Sequence, residues 1–182
     1  MSQPRVLVVY HSVEGQTARI ASRIVEVLAA QGLEVEAAEA ASAPGPDGFA
    51  GVIAGGSIHA GQHSRQLTAY LTEHAEALNA LPAALFQVSL TSADETPEKQ
   101  AEAGQYVANL LAATGFDPDI VARFAGALAY TRYGFFKRKL MVKIAGRDSG
   151  ATDTSRDHDY TDWEAVELFA RDVAAYVLAG PD

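Results

Sequence analysis

Cysteine is absent from the 182-residue chain, which excludes disulfides, thiolate metal sites, cysteine-ligated iron–sulfur clusters and thiol redox chemistry. Any redox role therefore needs a borrowed cofactor. Long apolar runs are also missing. None approaches the roughly 20 residues that cross a bilayer, and the N-terminus has no basic segment followed by a signal-type apolar stretch, so a cytoplasmic location is expected. Positive charge is scarce: 14 Lys and Arg face 23 Asp and Glu, and the resulting net charge of -9 argues against a nucleic-acid partner unless basic residues are concentrated somewhere. The chain has no nucleophile elbow, which removes a serine hydrolase. His11, His63, His74 and His158 show no metal-ligand spacing on a common element and read as ordinary polar residues.

What is present suits one soluble globular domain over residues 1–182, since 48% of the residues are hydrophobic and only 20% charged. The run Val6-Leu7-Val8-Val9-Tyr10 is short, β-branched and continuous, as a parallel strand covered on both faces should be. Ile20, Ile24 and Leu28 then recur at four-residue spacing, giving an amphipathic helix that ends near Gly32. Residues 33–38 alternate apolar side chains with Glu34 and Glu36 and predict an edge strand. A third strand over 51–54 runs into Gly55-Gly56-Ser57, and a helix follows over about 64–78. A fourth strand, 84–90, stops at Thr91-Ser92. Pro97 opens a helix whose apolar stripe includes Tyr106, Val107, Leu110 and Leu111 and ends near Gly115. A fifth strand lies between Ile120 and Tyr130, and a closing helix begins around Thr161-Asp162. Strands separated by helices throughout predict an α/β doubly wound parallel sheet of five strands. The stretch of about 131–160 before the last helix is too long for an ordinary connection and is read as an insertion.

In an open parallel sheet, ligands bind beyond the carboxyl ends of the strands, so the turn after the first strand is where chemistry is expected. That turn is His11-Ser12-Val13-Glu14-Gly15-Gln16-Thr17. Gly15 permits a close turn, Ser12 and Thr17 offer hydroxyls, and the amides at the start of the helix point at whatever sits there. The pattern suits a phosphate; it equally suits Ser and Thr that only cap the helix, although its place after a buried first strand favours the phosphate.

Residues 10–17 resemble the phosphate turn of flavodoxins, with Glu14 departing from the usual hydroxyl residue. An acidic residue before Gly-Gln-Thr is similar to the turn of the bacterial quinone-dependent protoporphyrinogen dehydrogenases, the oxygen-independent protoporphyrinogen oxidase family derived from flavodoxins. The same family is suggested by Gly56-Ser57-Ile58, by Ala125-Gly126-Ala127-Leu128 with Tyr130 and Arg132-Tyr133, by Thr152-Asp153-Thr154 and by Tyr160-Thr161-Asp162-Trp163. The resemblance spans nearly the whole chain. It implies the flavodoxin-like strand order 2-1-3-4-5 with a long insertion after the fifth strand, and FMN as cofactor. Ser12, Val13, Glu14, Gly15, Gln16 and Thr17 would cradle the FMN phosphate, with Glu14 turned outward. Ser57, Ile58, His59, Ala60 and Gly61, with Leu90, Thr91, Ser92 and Gly126, would flank the ring. Neither flanking loop carries the aromatic side chain with which a flavodoxin usually covers its flavin. His59 either stacks there or is a surface histidine.

The basic residues of the insertion are concentrated: Arg132, Lys137, Arg138, Lys139, Lys143 and Arg147 occur with no Asp or Glu between them. A helix starting at Phe135 would align Phe136, Leu140 and Ile144 in one row and Lys139, Lys143 and Arg147 in the next. Such a segment either meets an anionic membrane surface or packs on its own domain with its lysines solvated. The resemblance favours the membrane, on the inner face of the cell membrane, and makes Arg132 the best-placed partner for a porphyrinogen propionate. It implies oxidation of protoporphyrinogen IX in haem biosynthesis, with electrons passed to menaquinone or a related quinone. The rival readings are an FMN electron carrier between proteins and a flavodoxin-like module that has lost FMN. Homo-oligomerisation stays open.

Overall fold

The computed structural model describes residues 2–128 and 158–180. Five parallel strands, β1 (Arg5–His11), β2 (Glu34–Glu39), β3 (Gly51–Ser57), β4 (Ala83–Ser89) and β5 (Ile120–Ala125), form one sheet in the order β2-β1-β3-β4-β5. This is the expected 2-1-3-4-5 order. β2 is an edge strand with no fully buried residue, as its alternating glutamates require.

The central strands are covered on both sides. Val6 and Val8 of β1, Ile53 of β3 and Phe86 of β4 pack against α1 (Gln16–Ala30) and α4 (Trp163–Ala179). Leu7 and Val9, Val52 and Ala54, and Leu85 face α2 (Arg65–Asn79) and α3 (Pro97–Thr114). Alternation within continuous apolar runs therefore feeds two cores. Their helix ends follow local chemistry. Ser64 accepts a hydrogen bond from the Leu67 amide at 3.1 Å, Asp162 accepts from Ala165 at 3.0 Å, Pro97 opens α3, and Gly115 ends it at φ 74°.

Two boundaries depart from expectation. β3, expected over 51–54, continues through Gly55, Gly56 and Ser57, which pair with Tyr10 and His11 on one side and with Phe86, Gln87 and Val88 on the other. The reason is packing: a Cβ on Gly55 would lie 1.9 Å from the Phe86 ring, so this strand position admits only glycine. The fifth strand, expected somewhere within 120–130, ends at Ala125. After Gly126 the chain leaves the sheet as β6 (Ala127–Leu128), which pairs antiparallel with β7 (His158–Asp159). Gly126 makes that exit by donating its amide to Ser89 O at 3.2 Å and accepting from the Tyr160 amide at 3.2 Å. The basic residues Arg132, Lys137, Arg138, Lys139, Lys143 and Arg147 lie outside the described residues.

Candidate functional site

The turn after β1 is built by Gly15 and Ser12. Gly15 takes φ 94°, a left-handed conformation at the N-cap of α1, and Ser12 Oγ accepts its amide hydrogen at 3.1 Å. No side chain caps α1, so the amides of its first turn are not consumed by an N-cap residue. With the helix dipole added, this arrangement can hold a small anion. Thr17 stands behind it, only 2% exposed.

A cavity of about 80 Å3 opens at this turn, at the carboxyl ends of β1, β3 and β4. Glu14, Gln16, Thr17, Ser57, Ile58, His59, Leu90 and Gly126 line it, so four separated segments named from the sequence converge on one place. Val88 and Ser89 line it as well; they were read as strand interior and carry no sequence signal of their own. Ser12, Val13 and Gly15 shape the turn without lining the cavity, and Val13 is exposed. Ala60, Thr91 and Ser92 are also off its wall. Ser92 contributes indirectly, its hydroxyl lying 2.8 Å from that of Ser89. Glu14, expected to turn outward, is partly buried and contributes to the wall.

The loop after β3 is held by short-range bonds. His59 Nε2 lies 3.1 Å from Ser57 Oγ, and the backbones of His59 and Gln62 exchange hydrogen bonds of 2.9 and 3.1 Å. Between them the chain turns through Ala60 at φ 49° and Gly61 at φ 76°. Behind it stands Tyr106 of α3, whose ring edge would lie 3.9 Å from a Cβ on Gly61. Tyr106 was assigned to the apolar stripe of its helix; instead it is partly buried with its hydroxyl donating to Glu102, and burial followed by that bond raises its pKa.

A second network ties the turn to the end of the insertion. Gln16 Nε2 donates to Thr161 Oγ1 at 2.8 Å and to Asp159 Oδ1 at 3.3 Å, while Arg19 donates to Gln16 Oε1 at 2.8 Å. Thr161 in turn donates to Ala125 O at 3.1 Å, and the Arg19 guanidinium lies over the Trp163 ring at 5.4 Å. Asp159 was not singled out from the sequence, because nothing local links it to a turn 143 residues away.

His63 departs from its reading as an ordinary polar residue. Its Nε2 is buried without a hydrogen-bond partner, and burial lowers its pKa from 6.5 to about 4. The folded chain thus refuses a proton that the unfolded chain accepts. This histidine's contribution to stability is complete above pH 6.5 and is lost as pH falls towards 4, by about 3 kcal/mol in all. Urea unfolding across that window should show a shallower acid slope in His63→Gln than in wild type; equal slopes would show that His63 does not cause it.

Comparison with known proteins places this geometry. A flavodoxin domain model matches residues 7–155. The protoporphyrinogen IX dehydrogenase [quinone] of Escherichia coli K12 is 33% identical over 93% of this chain and 94% of its own length. The enzyme of the same name from Leishmania major is 35% identical over 98% of this chain and 78% of its own. Among solved structures, oxidised flavodoxin 2 of Bacillus cereus superposes with a TM-score of 0.58 at 18% identity, over 94% of this chain and 99% of that one, a likeness of fold alone. With a flavodoxin sheet, a phosphate-type turn at its switch point and near-full-length relatives at this identity, the chain belongs to the quinone-dependent protoporphyrinogen IX dehydrogenase family of flavodoxin-domain proteins.

Proposed function

We propose that the protein oxidises protoporphyrinogen IX to protoporphyrin IX with FMN and passes the electrons to a quinone. The observation that carries this reading is the convergence of the Gly15 turn, the Ser57–His59 loop and Leu90 on one cavity in a chain with those relatives. FMN fits the residues present. An uncapped helix start behind a left-handed glycine suits its phosphate, and the partly open cavity beside it leaves the ring room to lie over the loops. Ser12, Val13, Glu14, Gly15, Gln16 and Thr17 would hold the phosphate, largely by amides. Ser57, Ile58, His59, Ala60, Gly61, Leu90, Thr91, Ser92 and Gly126 would border the ring.

Bound there, FMN supplies a two-electron acceptor for hydride from a substrate carbon. The chain's own part is orientation. The His59–Gln62 backbone pair fixes the loop that would border the ring, and the Gln16–Thr161–Asp159 contacts fix the turn. Without an aromatic side chain in either loop, one side of the ring would stay open to a bulky substrate. Anaerobic assay of the FMN-loaded protein with protoporphyrinogen and a soluble menaquinone analogue tests the reading. Protoporphyrin fluorescence should grow only when FMN and quinone are both present; bound FMN with no porphyrin formed would leave an electron carrier.

The basic segment supplies the membrane side of this proposal. Each Lys or Arg near an anionic surface contributes about 1 kcal/mol. Charge reversal at Lys139 and Lys143 should therefore lower flotation with anionic liposomes at least tenfold, with FMN content unchanged, and salt should mimic the change by screening. Flotation equal to wild type would make the segment a solvated face.

A further inference from the structure

A second cavity, of about 280 Å3, lies between α2 and α3, directly behind the 58–62 loop. Gly61 and Gln62 form one wall, His63 and Thr68 another, and Tyr106, Asn109, Leu110 and Ala113 present one face of α3. The first cavity uses Ser57, Ile58 and His59 of the same loop, so the two are separated by one short turn of chain.

Charge and hydrogen bonding restrict its occupant. None of the lining residues carries a formal charge, since His63 stays neutral with a pKa lowered to about 4. The hydroxyl protons of Thr68 and Tyr106 are committed to Ser64 O and Glu102, and Asn109 Oδ1 accepts from Gln105. The wall presents the amide N–H donors of Asn109 and Gln62 and the acceptor oxygens of Gln62, Thr68 and Tyr106, beside the Tyr106 ring, Leu110 and Ala113. Such a wall asks for a flat, uncharged molecule with carbonyl acceptors. A porphyrinogen does not suit it, because its propionates need cations and no cationic side chain lines this cavity.

We propose that this α2–α3 cavity binds the quinone headgroup, so that acceptor and porphyrinogen occupy different sides of the 58–62 loop. The assignment rests on the proposed FMN- and quinone-linked reading. Reduction of the quinone to quinol takes two electrons and two protons; both electrons come from the reduced flavin, which is reoxidised, and the protons come from that flavin and from solvent. The carbonyl oxygens that accept those protons are the atoms that Asn109 and Gln62 would hold. Separate sites let a quinone bind while porphyrinogen is still present.

Ala113→Trp is the blocking variant, because Ala113 is exposed on α3 and the larger side chain can enter the cavity without entering the core. Asn109→Leu removes an amide donor at an exposed position of the same face. Menadione is the probe, titrated calorimetrically into the oxidised FMN-loaded protein and then used to reoxidise flavin that dithionite has reduced. Menadione affinity and the reoxidation rate should each fall at least tenfold in Ala113→Trp, and severalfold in Asn109→Leu. FMN affinity and anaerobic flavin reduction by protoporphyrinogen should match wild type. Wild-type menadione binding and reoxidation in both variants would overturn the proposal, as would competition between menadione and protoporphyrinogen for the oxidised protein. Failure of protoporphyrinogen to reduce the flavin would instead count against the parent reading, while the dithionite experiment still decides the quinone site.

Discussion

Valine in place of Gly15 should weaken FMN binding at least tenfold while leaving the sheet and helices folded. Gly15 sits at φ 94°, where a residue with a Cβ is disfavoured by about 1–2 kcal/mol and a β-branched one by more. The turn relieves that strain by rotating, which withdraws its amides from the phosphate position. About 1.4 kcal/mol is already a factor of ten in affinity. Riboflavin, which has no phosphate, provides the control. Fluorescence titration should show FMN affinity falling towards that of riboflavin, with riboflavin affinity little changed. An FMN affinity equal to wild type would move the phosphate away from this turn.

Gly55→Ala should be strongly destabilising. The added Cβ would meet Phe86 at 1.9 Å, and Phe86 is fully buried, with its ring centroid 6.2 Å from that of Phe124 and 6.3 Å from that of Phe169. The ring has no free direction in which to move. Overpacking of this kind costs about 3 kcal/mol, towards the upper end of its usual range. Urea denaturation measures the loss directly, and Phe86→Leu in the same chain should recover a large part of it because the two sites are coupled through one contact. Wild-type stability in the single variant would mean that β3 does not pass Gly55 beneath that ring.

Both glycines illustrate what the amino-acid sequence discloses and what it withholds. β1 and α1 were legible because burial imposes a local pattern: a continuous β-branched run, then Ile20, Ile24 and Leu28 at helical spacing. The phosphate-type turn was legible because Gly15 and its neighbours are contiguous. The extension of the third strand through Gly55 and Gly56 was not legible, since glycine ordinarily weakens a strand; only the ring of Phe86, 31 positions on, explains them there. Tyr106 suffered the same fate in reverse. Helical spacing assigned it to the core, whereas contact with the 58–62 loop makes it part of a cavity wall. Asp159 and Thr161 reach Gln16 across more than 140 residues, a pairing that no periodicity encodes. Local chemistry thus located the turn, the family resemblance named the loops at Ser57, Leu90 and Gly126, and tertiary packing added Val88, Ser89 and Asp159.

The stoichiometry of the anaerobic reaction tests the central claim most directly. Conversion of protoporphyrinogen IX to protoporphyrin IX removes six electrons in three two-electron rounds, each returned to quinone through FMN. The FMN-loaded protein, mixed with protoporphyrinogen and an excess of menadione in the absence of oxygen, should form three quinols for every protoporphyrin. Apoprotein should form neither. Porphyrin formed at the same rate without quinone, or quinol formed without porphyrin, would contradict the account.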